Sequence, residues 1–265
     1  MNPRSLARCL SRLCLSGLLM AGAASAAEIH VMISSGFFWA YSELGPAFER
    51  ASGNRLVTVR GPSMGDSPES VPARLARGEP ADVVILDGGA ADELAKRGLV
   101  QAASKVTLAR SLIGMVVRAG APKPDISSVD ALRKTLLAAK SIAYSDSGSG
   151  TYLSTTLFAK LGIADQVAGR SRKVRGGPSG EPVAAVVARG ESEIGFQQLS
   201  ELMHVPGVAL VGAIPADLQP GVTFAGALTR GVQEPEAATA LLRFLASPEA
   251  APVIQKAGLT PPSAP

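Results

Sequence analysis

Apolar positions along this chain alternate between two periods. Short runs in which every residue or every second residue is apolar occur at 29–33, 56–59, 81–86, 111–118, 192–196 and 222–228. Between them apolar residues return every three or four positions, over 37–51, 71–77, 90–97, 129–140 and 236–245. Strand-length runs separated by helix-length ones predict a layered α/β structure with parallel-rich sheets. Punctuation agrees: Ser52-Gly53-Asn54 closes the first helical stretch and Gly98 the third. In the last stretch Ala237, Ala238, Leu241, Leu242 and Leu245 make one apolar face. Turn-rich sequence at Pro206-Gly207, Pro215 and Pro220-Gly221 precedes the return strand at 222–228.

The pattern is stated twice. Arg60-Gly61-Pro62-Ser63-Met64-Gly65 has an echo in Arg175-Gly176-Gly177-Pro178-Ser179-Gly180. Each copy leads to a helical stretch ending alike, Ala76-Arg77-Gly78-Glu79 and Ala188-Arg189-Gly190-Glu191, and then to an apolar strand. Upstream of each, a strand runs into serine and glycine, at Ser34-Ser35-Gly36 and at Ser145-Asp146-Ser147-Gly148. Matched features in one order predict two α/β units of one design. Residues 27–110 plus 223–265 are expected to build one lobe and 111–222 the other, hinged near 108–112 and 220–226.

Residues 1–26 read as an address. Arg4, Arg8 and Arg12 precede a short apolar core at 13–24, and Ala24-Ser25-Ala26 supplies a small-x-small cleavage site, as in a secretory signal peptide. Both cysteines, Cys9 and Cys14, fall inside it, so the mature chain is expected to have neither disulfide nor thiol chemistry, in the periplasm. Removing three arginines and no acid takes the formal charge from +4 to +1. A near-neutral body gives no footing for nucleic acid or a polybasic membrane contact. Nothing points to an obligate oligomer, and a monomer is expected.

Candidate chemistry lies in the repeated loops. Ligands of parallel α/β sheets gather at the carboxyl ends of strands, where helix N-termini offer free N–H groups and partial positive charge. Glycine lets the backbone approach an anion, and serine adds a hydroxyl without blocking it. Facing lobes would present Ser34, Ser35, Gly36, Ser63, Met64, Ser147, Gly148, Ser179 and Gly180 to one small anion. Arg60 and Arg175, just before the loops, would grip carboxylates if they point inward. Glu181, Asp146 and Tyr144 are weak acid–base candidates; helix capping or binding is the plainer role for each. Phe37, Phe38, Trp39 and Tyr41 are expected to pack in the core. His30 and His204 are far apart, which argues against a metal site. No phosphate-loop or dinucleotide motif occurs, so no cofactor is expected.

At these residues the chain resembles the periplasmic molybdate-binding proteins of ABC importers, within the type 2 solute-binding fold. The resemblance rests on the strand and serine loop at 31–36, on Gly61-Pro62-Ser63, and on Arg77-Gly78-Glu79-Pro80-Ala81-Asp82-Val83. It extends to Phe244-Leu245-Ala246-Ser247-Pro248-Glu249-Ala250. It implies two lobes that close on an oxyanion such as molybdate or tungstate and deliver it to an ABC permease. Three departures point to a larger ligand. Asp66-Ser67-Pro68-Glu69-Ser70-Val71 lengthens one loop, the arginines precede the loops, and Phe196-Gln197-Gln198 stands where the family ends a strand with tyrosine. Arginine and amide donors, Gln198 among them, suit a di- or tricarboxylate. The chain also resembles the periplasmic aconitate isomerases of this superfamily. That resemblance implies cofactor-independent interconversion of trans- and cis-aconitate by allylic proton transfer. Binding protein and isomerase both stand at this point.

Overall fold

The computed structural model describes residues 26–65, 67–176, 180–219 and 221–262. The signal-like segment and Ser179 therefore lie outside the described residues, apart from Ala26.

Among the described residues ten strands form two sheets of five. They are β1 (Glu28–Ile33), β2 (Arg55–Arg60), β3 (Val83–Asp87), β4 (Val106–Ser111), β5 (Ile113–Arg118), β6 (Ile142–Ser145), β7 (Ser171–Val174), β8 (Ile194–Gln198), β9 (Val208–Ala213) and β10 (Val222–Leu228). One sheet has the order β2-β1-β3-β10-β4, the other β7-β6-β8-β5-β9. The orders superpose: β6 stands where β1 stands, β7 for β2, β8 for β3, β5 for β10 and β9 for β4. In each sheet three strands run parallel and the last two pair antiparallel. The duplication read from the loops is thus carried through both sheets, and the α/β, two-lobed architecture is as expected.

Burial explains the strand patterns. Central β3 and β8 are covered on both faces, and Val83 to Leu86 and Ile194 to Gln198 are buried without a break. Along β1 the side chains alternate. Ile29, Val31 and Ile33 enter the core with the Ser35–Ser52 helix, while Met32 joins Leu86 and Leu94 on the opposite face. In the second sheet Met115 and Ile142 face one cluster, Val116 and Ala143 the other.

The expected strand at 111–118 is two strands in different sheets, β4 and β5, parted by the 39% exposed Leu112. An apolar run carries no mark where the chain changes partner, so the break was invisible. Edge strand β9 falls in sequence read as turns, because all six of its residues are only partly buried. Beside the β4–β5 crossing, the buried Gln219 accepts from the Ile113 N–H at 2.6 Å and donates to the carbonyls of Ile113 (3.3 Å) and Ile214 (2.7 Å). One amide thus fastens the two passages between the sheets to each other.

Candidate functional site

A cavity of about 500 Å³ opens where the carboxyl ends of β1, β2, β3, β6 and β8 converge. Its walls begin with two serines in equivalent positions. Ser34 is the N-cap of the Ser35–Ser52 helix and Ser147 that of the Gly148–Tyr152 helix, both extended, and neither uses its hydroxyl to cap. That departs from the usual duty of an N-cap serine and leaves first-turn N–H groups and hydroxyls for another acceptor. Ser34 Oγ is buried and finds no partner among the described residues. Ser147 Oγ belongs to a hydroxyl cluster, 2.8 Å from Ser145 Oγ, which in turn lies 3.0 Å from Ser149 Oγ. Two close approaches hold this geometry. A Cβ on Gly36 would strike the ring of Phe224, and one on Gly150 would strike the Ser145 carbonyl.

Cation and anions meet at the other walls. Arg60 lies over the Phe38 ring, 4.0 Å from its centroid, and donates to Ser35 Oγ at 3.3 Å. Burial holds its pKa below the ordinary arginine value, against the pull of Glu201. Ser63 Oγ accepts from the Asp87 N–H at 3.0 Å, and Asp87 Oδ1 caps the helix Gly88–Lys96 through Gly89 and Ala90. Asp146 Oδ1 accepts from the Gly176 N–H at 3.0 Å.

Glu201 is the group that stands out chemically. It lines the cavity on the short helix Leu199–Leu202, and its Oε1 accepts from Gln197 Nε2 at 2.8 Å. Burial pushes its pKa up to about 7, and Asp146 adds to the rise, while the Gln197 bond and Arg60 act against it. Burial dominates because a carboxylate taken from water loses more than one amide donor and one cation return. The same segment reaches across to the first lobe. Ser200 Oγ donates to the Gly36 carbonyl at 2.7 Å, and His204 stacks on Trp39 with ring centroids 4.0 Å apart.

Most residues expected at the site are brought together. Ser34, Ser35, Gly36, Arg60, Ser63, Asp146, Ser147, Gly148, Gly180, Glu181 and Gln198 all line the cavity. Met64 instead lines an adjoining groove, with its Cε against the place a Cβ of Gly148 would take. Two acid–base candidates are engaged elsewhere. Tyr144 packs edge-on against Phe158 in the second sheet's core, away from the cavity lining. Glu181 is gripped by both terminal nitrogens of Arg189 at 2.7 and 2.9 Å, which keeps its pKa below the usual carboxylate value. Arg175 is exposed and does not line the cavity. Of the four clustered aromatics, Phe37 and Tyr41 are core residues, but Phe38 and Trp39 face the ligand space.

Glu201 goes unread in the sequence, Trp39 is expected in the core and lines the cavity instead, and His204 and Gln197 are named there without the places they take in the site. One signal was present. Gln197 and Glu201 are four apart across the end of β8, the strand that repeats β3, where Asp87 marks the equivalent corner.

Residues 29–260 match the family model described as bacterial extracellular solute-binding protein. Over 261 residues the chain is 46% identical to an aconitate isomerase of Pseudomonas sp, covering 98% of each. Over 257 residues it is 30% identical to the molybdate-binding protein ModA of Azotobacter vinelandii, covering 94% of this chain and 97% of that one. Among solved structures, the periplasmic molybdate-binding protein of Azotobacter vinelandii superposes with a TM-score of 0.69 at 20% identity, over 89% of this chain and 100% of that one. The fold is that of the type 2 periplasmic binding proteins.

Proposed function

The chain belongs to the bacterial extracellular solute-binding protein family, and from that premise we propose that it is a periplasmic aconitate isomerase that works without a cofactor. The observation that carries the reading is Glu201, a carboxyl poised at about 7 inside a serine-lined anion cleft. The 46% identical relative named aconitate isomerase supports it. The two lobes, each built on one of the two sheets, close on the substrate.

Aconitate carries a methylene beside both a carboxylate and the double bond. Removing a proton from that carbon spreads the electron pair across the three-carbon frame and onto carboxylate oxygen. Returning a proton at the former vinylic carbon moves the double bond by one position. Proton and electron pair are conserved, so no oxidant is required. Glu201 takes and returns the proton; a pKa near the working pH suits both halves of that duty. Ser34, the cluster at Ser147 and the first-turn N–H groups receive the oxygens on which charge develops. Arg60 clamps a carboxylate from the planar side. The bound substrate's charge opposes the ionised form that Glu201 needs as a base. A trianion enters beside Asp87 and Asp146, with Arg60 and two helix N-termini of roughly +0.5 each as counterweight.

Delivery of an anion to an ABC permease is the second reading. The 30% identity to a molybdate-binding protein favours it, and it needs only the serines and helix N-termini. It assigns no duty to Glu201. The deciding test incubates the purified mature protein with trans-aconitate, follows the cis isomer by chromatography, and titrates aconitate, molybdate and tungstate by calorimetry. Isomer formation in metal-free buffer is the expected result. Tight molybdate binding without turnover would replace the isomerase with the importer.

A further inference from the structure

Gln197 is buried at the end of β8 and both ends of its amide are committed. The Val183 N–H donates to Oε1 at 3.1 Å, and Nε2 donates to Glu201 Oε1 at 2.8 Å. A backbone N–H can only donate, so the amide oxygen must face Val183 and the nitrogen must face Glu201. The orientation of this side chain is therefore set by the backbone at the start of the helix Val183–Ala188. Glu201 Oε1 already receives an N–H, so a proton on this carboxyl has its place on Oε2.

We propose that Gln197 is a positioning residue for proton transfer: held by Val183, it occupies Glu201 Oε1 and leaves Oε2 as the oxygen that takes and returns the proton. The inference rests on Glu201 being the acid–base group. Gln197 acts through Glu201 and need not touch the substrate. Other groups facing Glu201 are Arg60 from the end of β2 and Asp146 from the loop after β6. His204 follows three residues later, with Lys256 and Glu43 near it, and Glu181 at the cavity wall is held by Arg189. None of these donates a hydrogen bond to Glu201 in the structure, so Gln197 alone among them fixes which oxygen is free.

The test uses the full mature protein with Gln197→Met, which keeps length and loses the donor, and Gln197→Glu, which keeps the Val183 bond and the shape. Glu201 titration is read from its infrared carboxyl band, assigned with Glu201→Gln, and kcat and KM for trans-aconitate are measured across pH. A donor to the charged form favours that form, so losing it is expected to raise the Glu201 midpoint by about one pH unit in Gln197→Met. Gln197→Glu is expected to raise it further, because two adjacent carboxyls cannot both ionise freely. At pH 7 kcat falls about tenfold while KM stays within about threefold, since the altered group acts on proton transfer rather than on binding. In the unaltered protein the Gln197 side-chain 15N signal should follow the Glu201 midpoint, a reading that needs no variant to fold. Unmoved midpoints and pH profiles in both variants, with turnover lost in Glu201→Gln, would reduce Gln197 to a packing residue. Turnover persisting in Glu201→Gln would instead remove Glu201 from the chemistry, and the infrared titration would still decide whether Gln197 sets its protonation.

Discussion

Replacing Glu201 by glutamine separates the chemistry of this carboxyl from its shape. The amide is isosteric and its oxygen can still accept from Gln197 Nε2. Glu201 rises from the ordinary 4.5 to about 7 in the folded protein, chiefly through burial. Between those values the folded chain binds more protons than the unfolded one, so its stability falls as pH rises through that window. The full shift is worth about 3 kcal/mol at ~1.4 kcal/mol per unit. Solvent reaches part of the side chain, which reduces the expected loss to about 2 kcal/mol. Glu201→Gln cannot ionise. It should therefore match the parent near pH 4.5 and exceed it at pH 8 by about 2 kcal/mol, or about 4–8 °C in Tm for a chain of this size. Urea titrations at several pH values read the first quantity and thermal melts the second. Turnover of trans-aconitate should drop by about 10²- to 10⁴-fold, the usual worth of a positioned acid–base group. In the parent, kcat/KM should rise with pH through about 7, because the base must lose its proton first. Parallel stability curves for the two proteins, or turnover within about threefold of the parent, would refute the reasoning.

Three further perturbations follow from the same geometry. Ser34→Ala removes a buried hydroxyl without a partner among the described residues, so unfolding free energy should change by less than about 0.5 kcal/mol. Aconitate should nevertheless bind about tenfold more weakly in calorimetry, since a hydrogen bond to a charged group is worth about 1.5–3 kcal/mol. Arg60→Lys keeps the charge but loses the planar fork and part of the stacking on Phe38; KM for aconitate should rise at least about tenfold in steady-state kinetics. Gln219→Ala strands the buried Ile113 N–H, and urea unfolding should show a loss of about 2–3 kcal/mol with the active-site residues untouched. A loss under about 0.5 kcal/mol there would mean that the two crossings are not fastened by this amide.

Much was legible from the chain because duplication and periodicity are local properties. The two copies of the Arg-Gly-Pro-Ser type loop each follow the second parallel strand of a sheet, and the serines at 34 and 147 each begin the helix after the first. Binary pattern and turn chemistry determine such elements, since both act within a few residues. Partnership between distant segments was decided only by tertiary structure. Arg60 lies on Phe38 and lines the cleft, whereas Arg175, its equivalent in the repeat, lies outside the cavity lining. Tyr144 and Glu181, the weak acid–base candidates of the sequence, are engaged by Phe158 and Arg189. Glu201 carries no mark of its own in the sequence. Its raised pKa comes from burial beside Asp146, a neighbour 55 positions away in sequence, and desolvation of that kind exists only after the chain has closed around the group.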